Sequence, residues 1–551
     1  MKRTLAALAV AALSFAGTPS AQAVNGAPSP ATSSDLGAAA KQVDALLDAW
    51  QFKEAAAALA TLKSAAPGAP TTNFLDGYQK FLAGDYDGAV HALSAASDAQ
   101  PANGEIKSLK ELVAAARDAI KDFREERSPH AIIHYAPEDA ALVPYARDTV
   151  EAAYAALHAD LGFEIAQPIR VEFYRAPSDL AAVSSLSVAE VARTGTIALC
   201  KWARLMVTTP RALAYGYPWL DSMNHELVHY AVSTLSKDRA PVWFQEGLAK
   251  FLERRWREPP GGRIPPPMEH LLAKALRSGH LISFEAMHPS MAKLPSAEDA
   301  TLAFAEVENA IAYLYEKGGM AALRDAIKRV GDGEDARQAV AAAAGGGWPE
   351  FERGWRAFMV AQHYKTFPAI DIATTHIRKP NAIASGRRPA EEDALSPTLK
   401  ASAPFRYLRL GNMLLGRDHP RAAAAEYEKG QKAVTATARN DPSATWIFPV
   451  KLGRTYLSLG EPERALKALA PVQALYPDLP WPNLIAGEAR LALGDAAGAV
   501  TALRASLATN PFDPRVHCAL AAAYGRLPAN ARATAADVAR EQQLCKELGA
   551  E

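Results

Sequence analysis

The residues best placed to do chemistry lie in Asn224-His225-Glu226-Leu227-Val228-His229-Tyr230, followed by Pro241-Val242-Trp243-Phe244-Gln245-Glu246-Gly247. Two histidines spaced i, i+4 on a helix project from one face, one turn apart, so both imidazoles reach one ion. Glu226, beside His225, is angled to take a proton from a water that the ion polarises. Zinc sites that do hydrolysis use three protein ligands and leave the fourth position to water. Glu246 supplies the third, so the pattern calls for one Zn2+ per chain held by His225, His229 and Glu246.

Two helices must position these groups. Trp219, Leu220, Met223, Leu227, Val228, Ala231, Val232 and Leu235 form an apolar stripe of helical period around the histidines. Pro241 marks the turn into a second helix, with Glu246 in its second turn. Gly247 removes bulk where this helix must approach that of the histidines. Glu253 shares a helix face with Glu246 but lies roughly 10 Å further along the axis, so only one of them reaches the ion. Arg254 and Arg255 follow Glu253 and suit a solvated helix end, which leaves the ligand role to Glu246.

HExxH followed by Trp-x-x-Glu-Gly resembles the gluzincins, metallopeptidases with a His, His, Glu zinc set and a glutamate base. More narrowly, residues 128–359 resemble the peptidase MA-like group often found with helical repeats. The resemblance implies His225, His229 and Glu246 as ligands, Glu226 as general base, and peptide-bond hydrolysis. It also implies a Tyr or His from the downstream lobe that holds the developing oxyanion, for which Tyr313, Tyr315 and His288 are candidates. Sixteen residues separate His229 from Glu246, fewer than in aminopeptidase gluzincins, and no Gly-x-Met-Glu-Asn element precedes the motif. An endopeptidase is therefore expected rather than an exopeptidase.

Acidic and basic residues balance at 60 each in 551 residues, so nothing favours a nucleic-acid partner. Residues 1–23 read as a signal peptide: Lys2 and Arg3, an apolar run to Phe15, and Ala21-Gln22-Ala23 before the cut. No other stretch is apolar enough to span a membrane, so a periplasmic or extracellular protein beginning at Val24 is expected. A linker, 24–34, precedes helical repeats over 35–125. There Ala55 and Pro67 recur 34 residues on as Ala89 and Pro101. After a second linker, 376–402, the array 403–551 repeats Gly453, Ala465 and Pro477 as Gly487, Ala499 and Pro511. A degenerate unit opens it near Gly411 and Ala423. The spacing resembles tetratricopeptide (TPR) repeats, whose small residues let paired helices touch. Both arrays are open to two uses, packing against the central domain or binding a protein partner.

The central domain, 126–375, reads as α+β. Strands are expected at 130–135, 169–174, 197–200 and 205–208, with the sheet edge flanking the metal cleft, where an extended peptide could add itself. Helices are expected at 303–315, 320–330 and 348–364, and the proline-rich stretch 258–267 reads as a loop that either rims the cleft or simply connects. Cys518 and Cys545 fall on neighbouring helices and can pair, which leaves Cys200 as a buried strand residue. The fold expected is mainly α, with a central α+β zincin-like metallopeptidase domain between TPR-like arrays. Its expected substrate is a protein or peptide. The rival reading is a non-catalytic envelope scaffold that binds proteins through its repeats, its zinc site structural or unused. Glu226 argues against the rival, because a structural zinc site needs no base there.

Overall fold

The structure, a computed structural model, describes residues 33–262, 264–288, 290–291, 294–370, 378, 391–437, 441–528 and 534–549. The expected signal peptide and most of both linkers lie outside the described residues. Five helices come first: α1 (Ser33–Asp48), α2 (Phe52–Ala65), α3 (Pro70–Ala83), α4 (Tyr86–Ala99) and α5 (Gly104–Ala119). Side-chain caps set the starts of α4 and α5. Asp85 accepts from Gly88 N at 2.9 Å, and Asn103 from Glu105 N and Ile106 N.

The C-terminal array continues the same design in the helices Pro404–Leu415, Pro420–Thr437, Pro442–Ser458, Pro462–Leu475, Pro480–Ala492, Ala496–Leu507, Pro514–Tyr524 and Ala535–Gly549. Proline opens most of them because its fixed φ and missing N–H suit the first helical position. One contact recurs in both arrays. A Cβ added at Gly77, Gly453 or Gly487 would lie 2.6, 2.8 or 2.4 Å from the Leu93, Leu469 or Leu503 side chain. The partner follows sixteen residues later each time. In the degenerate unit Gly411 meets Tyr427 at the same offset. These are TPR-like hairpins, closed at the end by a Cys518–Cys545 disulfide across the last helix pair.

Between the arrays stands a five-stranded sheet: β1 (Arg124–Arg127), β2 (Ala131–Tyr135), β3 (Ile169–Tyr174), β4 (Ala198–Lys201) and β5 (Arg204–Thr208). Its order is β1-β2-β3-β5-β4. β2, β3 and β5 run parallel, and β1 and β4 are antiparallel edges. β1 has no counterpart in the sequence reading, since Arg-Glu-Glu-Arg carries no apolar alternation. Period two then decides what each face of β3 meets. Ile169, Val171 and Phe173 join the core of the central domain. Tyr174, with Met206 of β5, joins the core of the N-terminal helices.

The connections carry α6 (Val143–Leu161), α7 (Pro177–Ala182) and α8 (Val188–Thr194). Five helices follow the sheet: α9 (Trp219–Ser236), α10 (Val242–Leu252), α11 (Pro266–Ser278), α12 (Ala297–Gly331) and α13 (Ala336–Ala343), and α14 (Trp348–Ala361) completes the domain. The two helices expected over 303–330 both lie within α12, separated by a kink at Gly318 and Gly319, where the backbone leaves helical geometry. Among the described residues no helix is long and apolar enough to cross a membrane.

Candidate metal centre

α9 holds both histidines and ends in a tight reversal. Lys237 and Asp238 take left-handed φ of 52° and 54°, and Asp238 N donates to Ser233 O at 2.8 Å. The chain returns at once into α10. Asn224, just before the first histidine, donates to Leu252 O at 3.0 Å and Glu253 O at 2.7 Å, so α9 caps the end of α10. The result brings Glu246 Oε2 within 3.3 Å of Nε2 of both His225 and His229, and the two Nε2 atoms lie 3.2 Å apart. Among the described residues this is the one group of three His, Cys, Asp or Glu side chains placed to hold a metal.

Each imidazole is oriented through its other nitrogen. Glu253 Oε2 lies 3.3 Å from His225 Nδ1, and Gln245 Oε1 lies 3.2 Å from His229 Nδ1. Gln245 in turn donates to Ser233 Oγ. Glu253 is thus not a solvated helix end. It is half-buried, bonded to Lys250 at 2.7 Å, and serves the back of the ring whose front faces Glu246. Burial opposes its charge, but Lys250 and His225 hold the Glu253 carboxyl down at about 2. Burial would likewise lower His225, but Glu246 and Glu253 outweigh it and raise the ring to about 10. Those carboxylates make the centre favour positive charge, and two Nε2 atoms with one carboxylate are a zinc donor set with its outer partners in place. The residues fit the ion.

Gly247 does not face α9. An added Cβ there would sit 2.8 Å from Val307 O and from Ile311, so its bareness seats α10 on α12. The residue after Glu246 is rotated about 100° around the helix and necessarily points elsewhere.

Glu226 is 6% exposed, and burial raises its carboxyl above the ordinary range against the pull of His229 and His225. The backbone of Cys200 in β4 hydrogen-bonds it. Cys200 is half-buried, packs against the central core and also lines the same space. That space is a cavity of about 1100 Å³ lined by Ile197–Cys200, Glu226, His225, His229 and Glu246. Pro265, Pro266, Pro267 and Met268 rim it, so the proline-rich stretch is more than a connection. His288 also lines it. Tyr313 and Tyr315 do not: Tyr313 packs on Phe351 and Phe358, and Tyr315 on Phe251.

A further stretch, missed by the sequence reading, comes from the C-terminal array. Trp446, Leu475–Leu479 and Thr509 form part of the cavity wall. Leu475–Leu479 and Thr509 are marked in the sequence only by their place at the 34-residue repeat ends, beside Pro477 and Pro511, and Trp446, inside the helix Pro442–Ser458, carries no such mark.

An HExxH helix packed against a mixed sheet, with a carboxylate returned by the next helix, defines a zincin-like domain, here set between two TPR-like arrays. Residues 149–361 match the family model described as the Peptidase MA superfamily. No curated protein matches the chain. Among solved structures, the TPR domain of P58(IPK) is similar at 10% identity over 93% of this chain and 99% of that one, with a TM-score of 0.20. The APC/C hetero-tetramer Cut9-Hcn1 is similar at 14% identity over 95% and 80%, with a TM-score of 0.24.

Proposed function

We propose that the protein is a zinc-dependent endopeptidase whose general base is Glu226. The observation that carries this reading is the meeting of His225, His229 and Glu246 beside a buried Glu226 inside one large cavity. Bound by those three residues, zinc would acidify a water and offset negative charge developing on the scissile carbonyl oxygen. Glu226 takes the proton of the attacking water. Its raised pKa suits both that step and the later transfer to the leaving amine. β4 is the edge of the sheet and lines the cavity, so an extended substrate can pair with it and bring one peptide bond to the centre.

The test is a metal-dependent digestion of a proteome-derived peptide library by wild type and Glu226→Gln. The variant should retain about one zinc per chain and lose ~10²–10⁴ in rate. Equal turnover by pure variant would remove Glu226 from the mechanism, and no cleavage by zinc-loaded wild type would favour the scaffold reading. We also propose export, on the signal-like residues 1–23 and a disulfide suited to an oxidising compartment. N-terminal sequencing of the exported protein should begin at Val24, and a start at Met1 would refute it.

A further inference from the structure

The wall contributed by the C-terminal array is built as a binding surface. Tyr215, from the segment leading into α9, packs with the core of the array rather than with its own domain. Its ring meets Trp481 edge-on at 5.6 Å, and Trp481 stacks on Trp446 at 5.4 Å. Thr445 Oγ1 donates to the Tyr476 hydroxyl at 3.1 Å, and that hydroxyl donates to Ala369 O at 3.3 Å. The polar end of Tyr476 is therefore engaged and its ring held in place. Tyr215, Trp446, Tyr476 and Leu479 all line the cavity that contains the metal centre.

The turn bearing Tyr476 and Leu479 is rigid. Buried Asn483 donates to Pro477 O at 2.7 Å and to Leu479 O at 3.2 Å, and accepts from Gln473. The corresponding turn of the next repeat anchors the array to the central domain. Tyr217 N donates to Thr509 O at 3.1 Å, Trp219 Nε1 to Leu507 O at 3.4 Å, and Arg211 covers the Phe512 ring at 3.9 Å. Trp219 opens α9, so the anchor fixes the array against the helix that holds the histidines. A seam between domains needs no such cavity. An ordered aromatic surface fixed beside a reaction centre suits a bound side chain.

We infer that the C-terminal array supplies a specificity-determining subsite, formed by Tyr476, Leu479 and Trp446 with Tyr215, for a large apolar side chain of an extended polypeptide substrate. This rests on the peptidase reading above. The experiment titrates the zinc-loaded full chain with two peptide hydroxamates that differ only in carrying a benzyl or a methyl side chain. Wild type should bind the benzyl compound at least about tenfold more tightly. Tyr476→Ala should cut that ratio about three- to tenfold while leaving the methyl compound's affinity alone, and Tyr476→Phe should keep the ratio. If Tyr476→Ala does not fold, Tyr215→Ala removes another ring from the same wall and should lower the same ratio. A folded variant with the wild-type ratio overturns the subsite and leaves the peptidase reading standing. If neither hydroxamate binds and no peptide is cleaved, both fall together.

Discussion

The two arrays share a hairpin design, down to the same glycine–leucine contact, yet they end in opposite relations to the central domain. The N-terminal helices are spent on the back of the sheet. Phe81 and Tyr86 close over Arg204, Trp202 from the β4–β5 turn packs on Phe81, and Tyr174 and Met206 complete that core. Among the described residues, none before Leu186 lines the cavity. The C-terminal array instead brings a repeat-closing turn to the cleft, and its later helices merge with the central core. Repeat architecture alone therefore does not say whether a surface binds anything. What covers it decides.

The largest effect should come from the N-terminal seam. Glu172 is fully buried and bonded by Arg170 at 2.9 Å, Arg204 at 3.0 Å, Tyr86 at 2.6 Å and Tyr174 at 2.5 Å. Burial works against its charge, but Arg204 and Arg170 hold the carboxyl at about 2. Glu172→Gln leaves two buried guanidinium groups without their anion and should cost about 3–5 kcal/mol in denaturant titrations at neutral pH. The folded pKa is depressed, so this contribution is present above the unfolded value near 4.5 and fades as pH falls through about 2. The gap between wild type and variant should narrow over that window. A gap that is small at neutral pH would mean the N-terminal helices are not a buttress.

A change at the centre itself separates the metal from both arrays. Glu253→Gln keeps the shape but weakens the hold on His225 Nδ1, and should lower zinc affinity about 10–100-fold with little change in melting of the apo protein. Unchanged affinity in a chelator competition would assign Glu253 to Lys250 alone.

The sequence made some of this legible and hid the rest for physical reasons. Local periodicity is enough to put His225 and His229 on one helix face and to find the 34-residue repeats, because both follow from near neighbours in the chain. Glu253 was obscured by Arg254 and Arg255, which look like a solvated end. In the folded chain Arg255 reaches Asp160 on α6 while Glu253 turns inward. Arg170, Glu172 and Tyr174 alternate as a solvent-facing row would, and are buried because another array lies over them. Which array covers which face depends on contacts between residues far apart in sequence, such as Tyr86 with Glu172 and Tyr217 with Thr509. No spacing rule reports those.

The smallest expected effect tests the C-terminal side most directly. Gly216 has φ of 80°, and an added Cβ would lie 2.0 Å from Thr509 O. Glycine is required there twice over, by backbone conformation and by the approach of the next repeat's turn. Gly216→Ala must rotate its backbone or push the turn away, straining the bond from Tyr217 N to Thr509 O. The variant should lose about 1–2 kcal/mol of stability. It touches neither histidine nor Glu246, so zinc content should stay at wild type. The pushed turn belongs to the same rigid array as Tyr476, so the benzyl-over-methyl preference should weaken even though every subsite side chain remains. If stability falls while the preference holds, the subsite does not depend on the seat of the Thr509 turn against Gly216, and that contact reduces to packing.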